Sequence, residues 1–110
     1  MTVQNLCDLC GFEQLNISSP DRKINGAYCG DLLSWVMGRA REDNAWITIM
    51  SNINVIAVAT LADVSCVIFA EGVVPDEDTL KVATEKGVNL LVSPFNSYET
   101  AVKISAYINE

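Results

Sequence analysis

From Ala45 onward the apolar positions alternate between two spacings. Short, nearly unbroken runs, Ala45-Trp-Ile-Thr-Ile-Met50, Ser65-Cys-Val-Ile-Phe-Ala70 and Asn89-Leu-Leu-Val-Ser93, read as strands. Each is followed by a few small polar residues and then by a segment of helical spacing. Strand, loop and helix in repetition predict an α/β domain, a mostly parallel sheet of about four to five strands flanked by helices. The run at 66–70 has almost no polar residue, as a central strand covered on both faces requires.

Upstream the pattern is less regular. Thr2 is placed to cap a helix over 3–10 that Gly11 stops, and residues 12–16 read as a short strand. Pro20-Asp-Arg-Lys23 is a surface turn, and 24–29 is a second strand suited to an edge. Gly30-Asp31 opens a helix running through residue 40. There Asp31 serves as cap, and Leu32, Leu33, Trp35, Val36 and Met37 form an apolar stripe. Ser51 and Asn52 are placed to cap a helix over 53–63. Pro75-Asp-Glu-Asp78 starts the next one, its acids near the positive end of the dipole, and Lys86-Gly87 ends it. Asn96 with Glu99 three residues on has the form of a capping box for a last helix over about 97–109.

The segment 53–62 is apolar nearly all round. A helix of that kind is covered on two sides: one side meets the sheet and the other is expected to meet a second subunit, which predicts a homodimer. Trp35 and Trp46 are candidates for that contact or for the core.

Charge narrows the partners. Seven basic residues against fourteen acidic ones give a net charge of −7, and the bases are scattered. Nucleic acid and anionic membranes, which need clustered Lys and Arg, are excluded as partners on this reading. The stretch 53–62 is too short to span a bilayer, and Met1-Thr-Val-Gln-Asn lacks the charged and apolar regions of an export signal. Four cysteines in such a chain are expected to be free thiols in a cytoplasmic protein.

Candidate chemistry is sparse. There is no histidine and no Gly-x-x-x-x-Gly-Lys-Ser/Thr sequence to cradle phosphates. Cys7-Asp-Leu-Cys10 has the spacing of half a zinc or iron–sulfur site, but Val3, Leu6, Cys7 and Cys10 also share one helix face, the spacing of a buried stripe. Packed thiols are the primary reading, with a metal or iron–sulfur accessory protein as the alternative. Asp31 and Glu71 each stand at a strand-to-helix junction, yet nothing in the sequence brings them together. In an open parallel sheet, ligands bind beyond the carboxyl ends of the strands, near helix N-termini. Gly30, Asp31, Ser51, Asn52, Glu71, Gly72, Asn96 and Ser97 lie there, and they form the candidate site for a small anionic ligand or a partner protein, with no cofactor.

Gly30-Asp-Leu-Leu-Ser-Trp-Val-Met-Gly-Arg39, Ala45-Trp-Ile-Thr-Ile-Met50, Asn54-Val-Ile-Ala-Val-Ala59 and Leu61-Ala-Asp-Val64 together resemble the small stand-alone proteins of the DRTGG-domain family. That domain is similar to the amino-terminal domain of HPr kinase/phosphorylase. The resemblance covers nearly the whole chain and implies one DRTGG-like domain over residues 1–110. It implies a non-catalytic regulatory or accessory module, linked through such relatives to hydrogenase or carbohydrate regulation. It does not imply a kinase, since the kinase's nucleotide site lies in a separate domain. Two departures stand out. Ser51-Asn52 occupies the place of the signature Asp-Arg, and Ala70-Glu71-Gly72 the place of Thr-Gly-Gly.

Overall fold

The helix starts are built locally. Asn5 N–H donates to Thr2 Oγ1 and Thr2 N–H to Asn5 Oδ1, both at 3.1 Å, closing a reciprocal cap on α1 (Val3–Cys10). Gly11, at φ 69°, ends that helix in the left-handed conformation. The computed structural model describes residues 1–108. Residue 109, which the sequence reading gives to the last helix, lies outside the described residues. The elements after α1 are β1 (Glu13–Asn16), β2 (Gly26–Cys29), α2 (Leu33–Arg39), β3 (Asn44–Thr48), α3 (Asn54–Ala62), β4 (Cys66–Phe69), α4 (Glu77–Lys86), β5 (Leu90–Val92) and α5 (Ser97–Ile108).

The strands form one sheet in the order β1-β5-β4-β3-β2, with β2 to β5 parallel and β1 antiparallel to β5. From β2 to β5 the chain always steps to the next strand in the same direction. Right-handed crossovers therefore put α2, α3 and α4 on one face. Val36, Val55, Ile56, Val58, Ala59 and Ala83 of those helices pack there on Trp46, Val67, Phe69 and Leu90. The opposite face is covered by α1 and α5: Val3, Leu6, Cys7 and Ile104 pack on Ala45, Ile47, Cys66, Ile68 and Leu91. Alternate residues of β4 thus feed two cores, and all four of its residues are buried. This confirms its central position. Among the described residues, no helix is long and apolar enough to cross a membrane.

The segment between β1 and β2 crosses the sheet from one edge to the other along the amino-terminal ends of the strands. Two polar residues pin it. Asn89 is buried: its Oδ1 accepts from Ser18 N–H and Ser19 N–H, and its amide donates to Ser19 O and Ser65 O, all at 2.9–3.0 Å. Arg22 bridges Asp43 and Asp63, each at 2.9 Å, and both aspartates hold left-handed turns that close the entries to β3 and β4.

Two expectations are corrected here. The predicted stripe of α2 is not buried. Val36 alone of its helical residues is inside, while Trp35 is 56% exposed and Leu32, before the first turn, 58%. The helix lies at the end of the row α4-α3-α2, so it has one helical neighbour instead of two. Asp31 does not cap it either: the N-cap residue is Leu32, without a side-chain cap bond.

Candidate functional site

Four parallel strands deliver their carboxyl ends to one end of the sheet, so the loops following β2, β3, β4 and β5 lie side by side. All eight candidate residues, Gly30, Asp31, Ser51, Asn52, Glu71, Gly72, Asn96 and Ser97, stand in or directly after these loops. Buried hydroxyls at the strand ends hold the loops in place. Thr48, at the end of β3, donates from Oγ1 to Asp31 Oδ1 at 2.9 Å and accepts from Met50 N–H at 3.1 Å. The same carboxylate oxygen accepts from Ile49 N–H at 2.9 Å. Asp31 therefore ties the β2 loop to the β3 loop, which explains why it is not a cap. Gly30 has its own requirement: a Cβ there would stand 2.7 Å from the Tyr28 ring. Its carbonyl accepts from the indole N–H of the buried Trp46 at 2.9 Å.

Beyond β5 the device recurs. Ser93 and Thr100 share a buried hydroxyl hydrogen bond of 2.7 Å, and Ser93 Oγ accepts from Phe95 N–H. The β4 loop is laced to this one by Glu71 N–H to Phe95 O at 2.7 Å and Gly72 N–H to Ser93 O at 2.9 Å. Glu71 and Gly72 both adopt positive φ, 61° and 68°, turning the chain sharply out of β4. Thr48, Ser93 and Thr100 were not singled out from the sequence. A hydroxyl at the end of an apolar strand run is the signal that could have found Thr48 and Ser93; Thr100 lies in α5 and has no such signal.

The helix N-termini facing this end differ. Asp76 caps α4, its carboxyl held below the usual range by Thr79 N–H, with Glu77 and Asp78 in the first turn. Asn96 caps α5, accepting from Glu99 N–H at 2.8 Å while Glu99 reaches back to Asn96 N–H. These two ends are already complemented by carboxylates. The first turn of α3 carries no acid, and Asn52 Oδ1 accepts from Asn54 N–H at 2.9 Å. The expected cap by Ser51 and Asn52 is corrected here: the N-cap residue is Ile53, without a side-chain cap bond, and Asn52 makes only a local turn before it. The loops contain no Lys or Arg; a cation from α5, Lys103, has its Nζ 4.5 Å from the centroid of the Phe95 ring.

Asp31 and Glu71 follow β2 and β4, with β3 between them. Each is engaged within its own surroundings: the Asp31 carboxylate by Thr48 and Ile49, and the Glu71 backbone by Phe95. Cys7 is buried in the core beneath α1, where loss of solvation, with Asp8 adding to it, pushes its thiol up to about 11. Burial also raises Cys10. Both shifts oppose the thiolates a metal requires. Among the described residues, no group of three His, Cys, Asp or Glu stands ready to hold a metal ion.

No curated protein matches the chain. Among solved structures it is similar to the CBS and DRTGG domains of the regulatory region of Clostridium perfringens pyrophosphatase, crystallised with its activator, diadenosine tetraphosphate. The two share 16% identity and a TM-score of 0.74; the likeness covers 94% of this chain and 45% of that one. The chain therefore spans less than half of that regulatory region. The DRTGG domain matches residues 27–107, from inside β2 to the last turn of α5. A match over that span, on this order of strands, settles the family: the chain belongs to the DRTGG domain family.

Proposed function

We propose that this protein is a non-catalytic regulatory module that binds a small ligand through the loops at the carboxyl ends of its strands and acts as a homodimer. The observation that carries the ligand reading is the fixing of those loops before any ligand arrives. Thr48 and Ser93 hold adjacent loops by buried hydroxyls, and a prearranged surface loses little ordering entropy on binding. The related regulatory region takes a nucleotide activator, which makes a nucleotide the first ligand class to test.

The charges set a condition on that ligand. Asp31, Glu71, Asp76, Glu77, Asp78 and Glu99 surround this end, and the loops supply no cation. A polyphosphate fits as its magnesium complex, lodged at the acid-free first turn of α3 beside Ser51 and Asn52. Diadenosine tetraphosphate, ATP and ADP, each with and without magnesium, would be followed by thermal unfolding, with magnesium alone as the control. A saturable rise in Tm that needs both components is expected; a ligand at a hundredfold its Kd stabilises by about 2.7 kcal/mol. No shift at millimolar nucleotide removes the sensing role. Phosphate release from ATP by the purified chain would overturn the non-catalytic reading.

The dimer reading rests on α3. Ile53, Ala57 and Leu61 form one stripe on its outer side, exposed along a groove of about 460 Å³ shared with Val82 and Lys86 of α4. Among the described helices α3 alone carries no charged residue, so two copies of an acidic chain can approach there with least repulsion. Sedimentation at tens of micromolar tests it.

A further inference from the structure

The two edges of the sheet are finished differently. At β1 the register shifts between Gln14 and Asn16, Glu13 adds charge, and the Asn16 amide donates to Val88 O and Ser18 Oγ. β2, at the other edge, reads Gly26-Ala-Tyr-Cys29, with no charge, no proline and an even register. Its hydrogen bonds fix which groups face out. Asn25 N–H donates inward to Asp43 O at 3.0 Å, whereas Ile24 N–H donates outward to Met1 O at 2.9 Å. Alternation along the strand therefore turns the N–H and C=O of Gly26 and Tyr28 to the open side. This opening has two ends: Met1 occupies the edge at Ile24, and Gly30 N–H turns back to Ile47 O at 3.1 Å.

The layers on both faces of the sheet stop at the same edge. Leu33, Val36 and Ala40 turn α2 toward the core. With a right-handed crossover, α3 then lies on the Met37 flank, and the exposed Leu32 and Trp35 form the flank over the open edge. On the other face a groove of about 310 Å³ runs between β2 and α5, lined in part by Ala27, Cys29, Ala101, Ser105 and Ile108. An occupant that completes this edge must present a strand with a helix on either face, and the same edge of a second copy does so. We infer that two copies pair through β2, antiparallel about a twofold axis that passes through Ala27 perpendicular to the sheet. Gly26 of each copy exchanges both backbone hydrogen bonds with Tyr28 of the other, and the five strands of each copy join in one sheet. The axis preserves the faces, so α2 meets α2 over Trp35 and Leu32, and α5 meets α5 across the groove. Residues 24–30 are uncharged, so a chain of net charge −7 brings no opposing charges to the paired strands. This contact is separate from the outer stripe of α3. A strand of four residues makes it the weaker of the two associations, populated above the tens of micromolar that test the α3 dimer.

An oxidative trap tests the inference. About this axis the two Ala27 residues form a close pair, with Cα atoms about 4.5 Å apart, within disulfide reach. Ala27→Cys, in a chain that also carries Cys29→Ser, should form a covalent dimer under glutathione disulfide. It should do so about tenfold faster than Val74→Cys in the same background, an exposed position beyond β4. In the native chain Cys29 lies opposite Asn25 of the second copy and should not link to itself. Gly26→Pro removes one outward N–H per copy and, by the same alternation, none used within the sheet. It should reduce trapping to the control rate, and circular dichroism checks that it folds. Trapping should persist in Leu61→Asp, which charges the α3 stripe and so separates this contact from the proposed dimer. Four results would overturn the inference: Ala27→Cys linking no faster than Val74→Cys, linking undiminished by Gly26→Pro, self-linking of Cys29, or trapping lost with Leu61→Asp.

Discussion

Replacing Thr48 by Val removes one hydroxyl and keeps the shape. Thr48 is 0% exposed and closes β3, with its Oγ1 between Asp31 and Met50. Two hydrogen bonds disappear. The bond to Asp31 is charge-assisted, but its acceptor is exposed and regains water, so its net loss is about 1 kcal/mol. The Met50 N–H is partly buried and loses about another 1 kcal/mol. A total near 2 kcal/mol lowers Tm by about 9 °C, since unfolding entropies of about 2.1 cal/mol/K per residue set the conversion for a chain this size. Denaturant titration gives the free energy, and hydrogen exchange at Ile49 and Met50 shows where it is lost. A cycle with Asp31→Ala should return a coupling of about 1 kcal/mol. A loss below 0.5 kcal/mol, or additive effects of the two substitutions, would refute the claim that this hydroxyl fixes the loops.

At the other end of the sheet, Asn89→Ala is expected to cost about 3 kcal/mol, because the buried Ser65 carbonyl loses its donor along with three further bonds; chemical denaturation measures it. Leu61→Asp, at a position 70% exposed, should turn a dimer into a folded monomer by sedimentation. Val58→Asp, at 4% exposure, should instead abolish folding by circular dichroism. Stability should also fall in alkali. Burial pushes the Cys66 thiol up to about 12 and that of Cys7 to about 11 from an ordinary 9.0, so their neutral forms are favoured in the folded chain. Their contribution is complete below pH 9 and is lost as pH rises through 11 to 12. Denaturation midpoints across that window should decline less steeply in Cys66→Ala.

How much the sequence discloses depends on the distance over which each feature is built. The caps at Thr2 and Asn96 are three-residue devices, and each stands where residue type and spacing place it; the acidic start of α4 is equally local, though which of its acids caps, Asp76, shows only in the structure. The central position of β4 is legible because burial on two faces demands an unbroken apolar run. The stripe of α2 misleads because helical spacing identifies apolar positions without stating how many sides have neighbours. Asp31 looks like a cap in the sequence; its true partners, Thr48 and Ile49, come from the adjacent strand. Asn89 reaches Ser18 and Ser19 across some seventy positions, and Arg22 reaches Asp63 across forty-one. No local pattern marks such residues. The strand-end loops are predictable as a set because parallel topology alone puts them together. Their being held by hydroxyls, and ringed by carboxylates, emerges only from the packing.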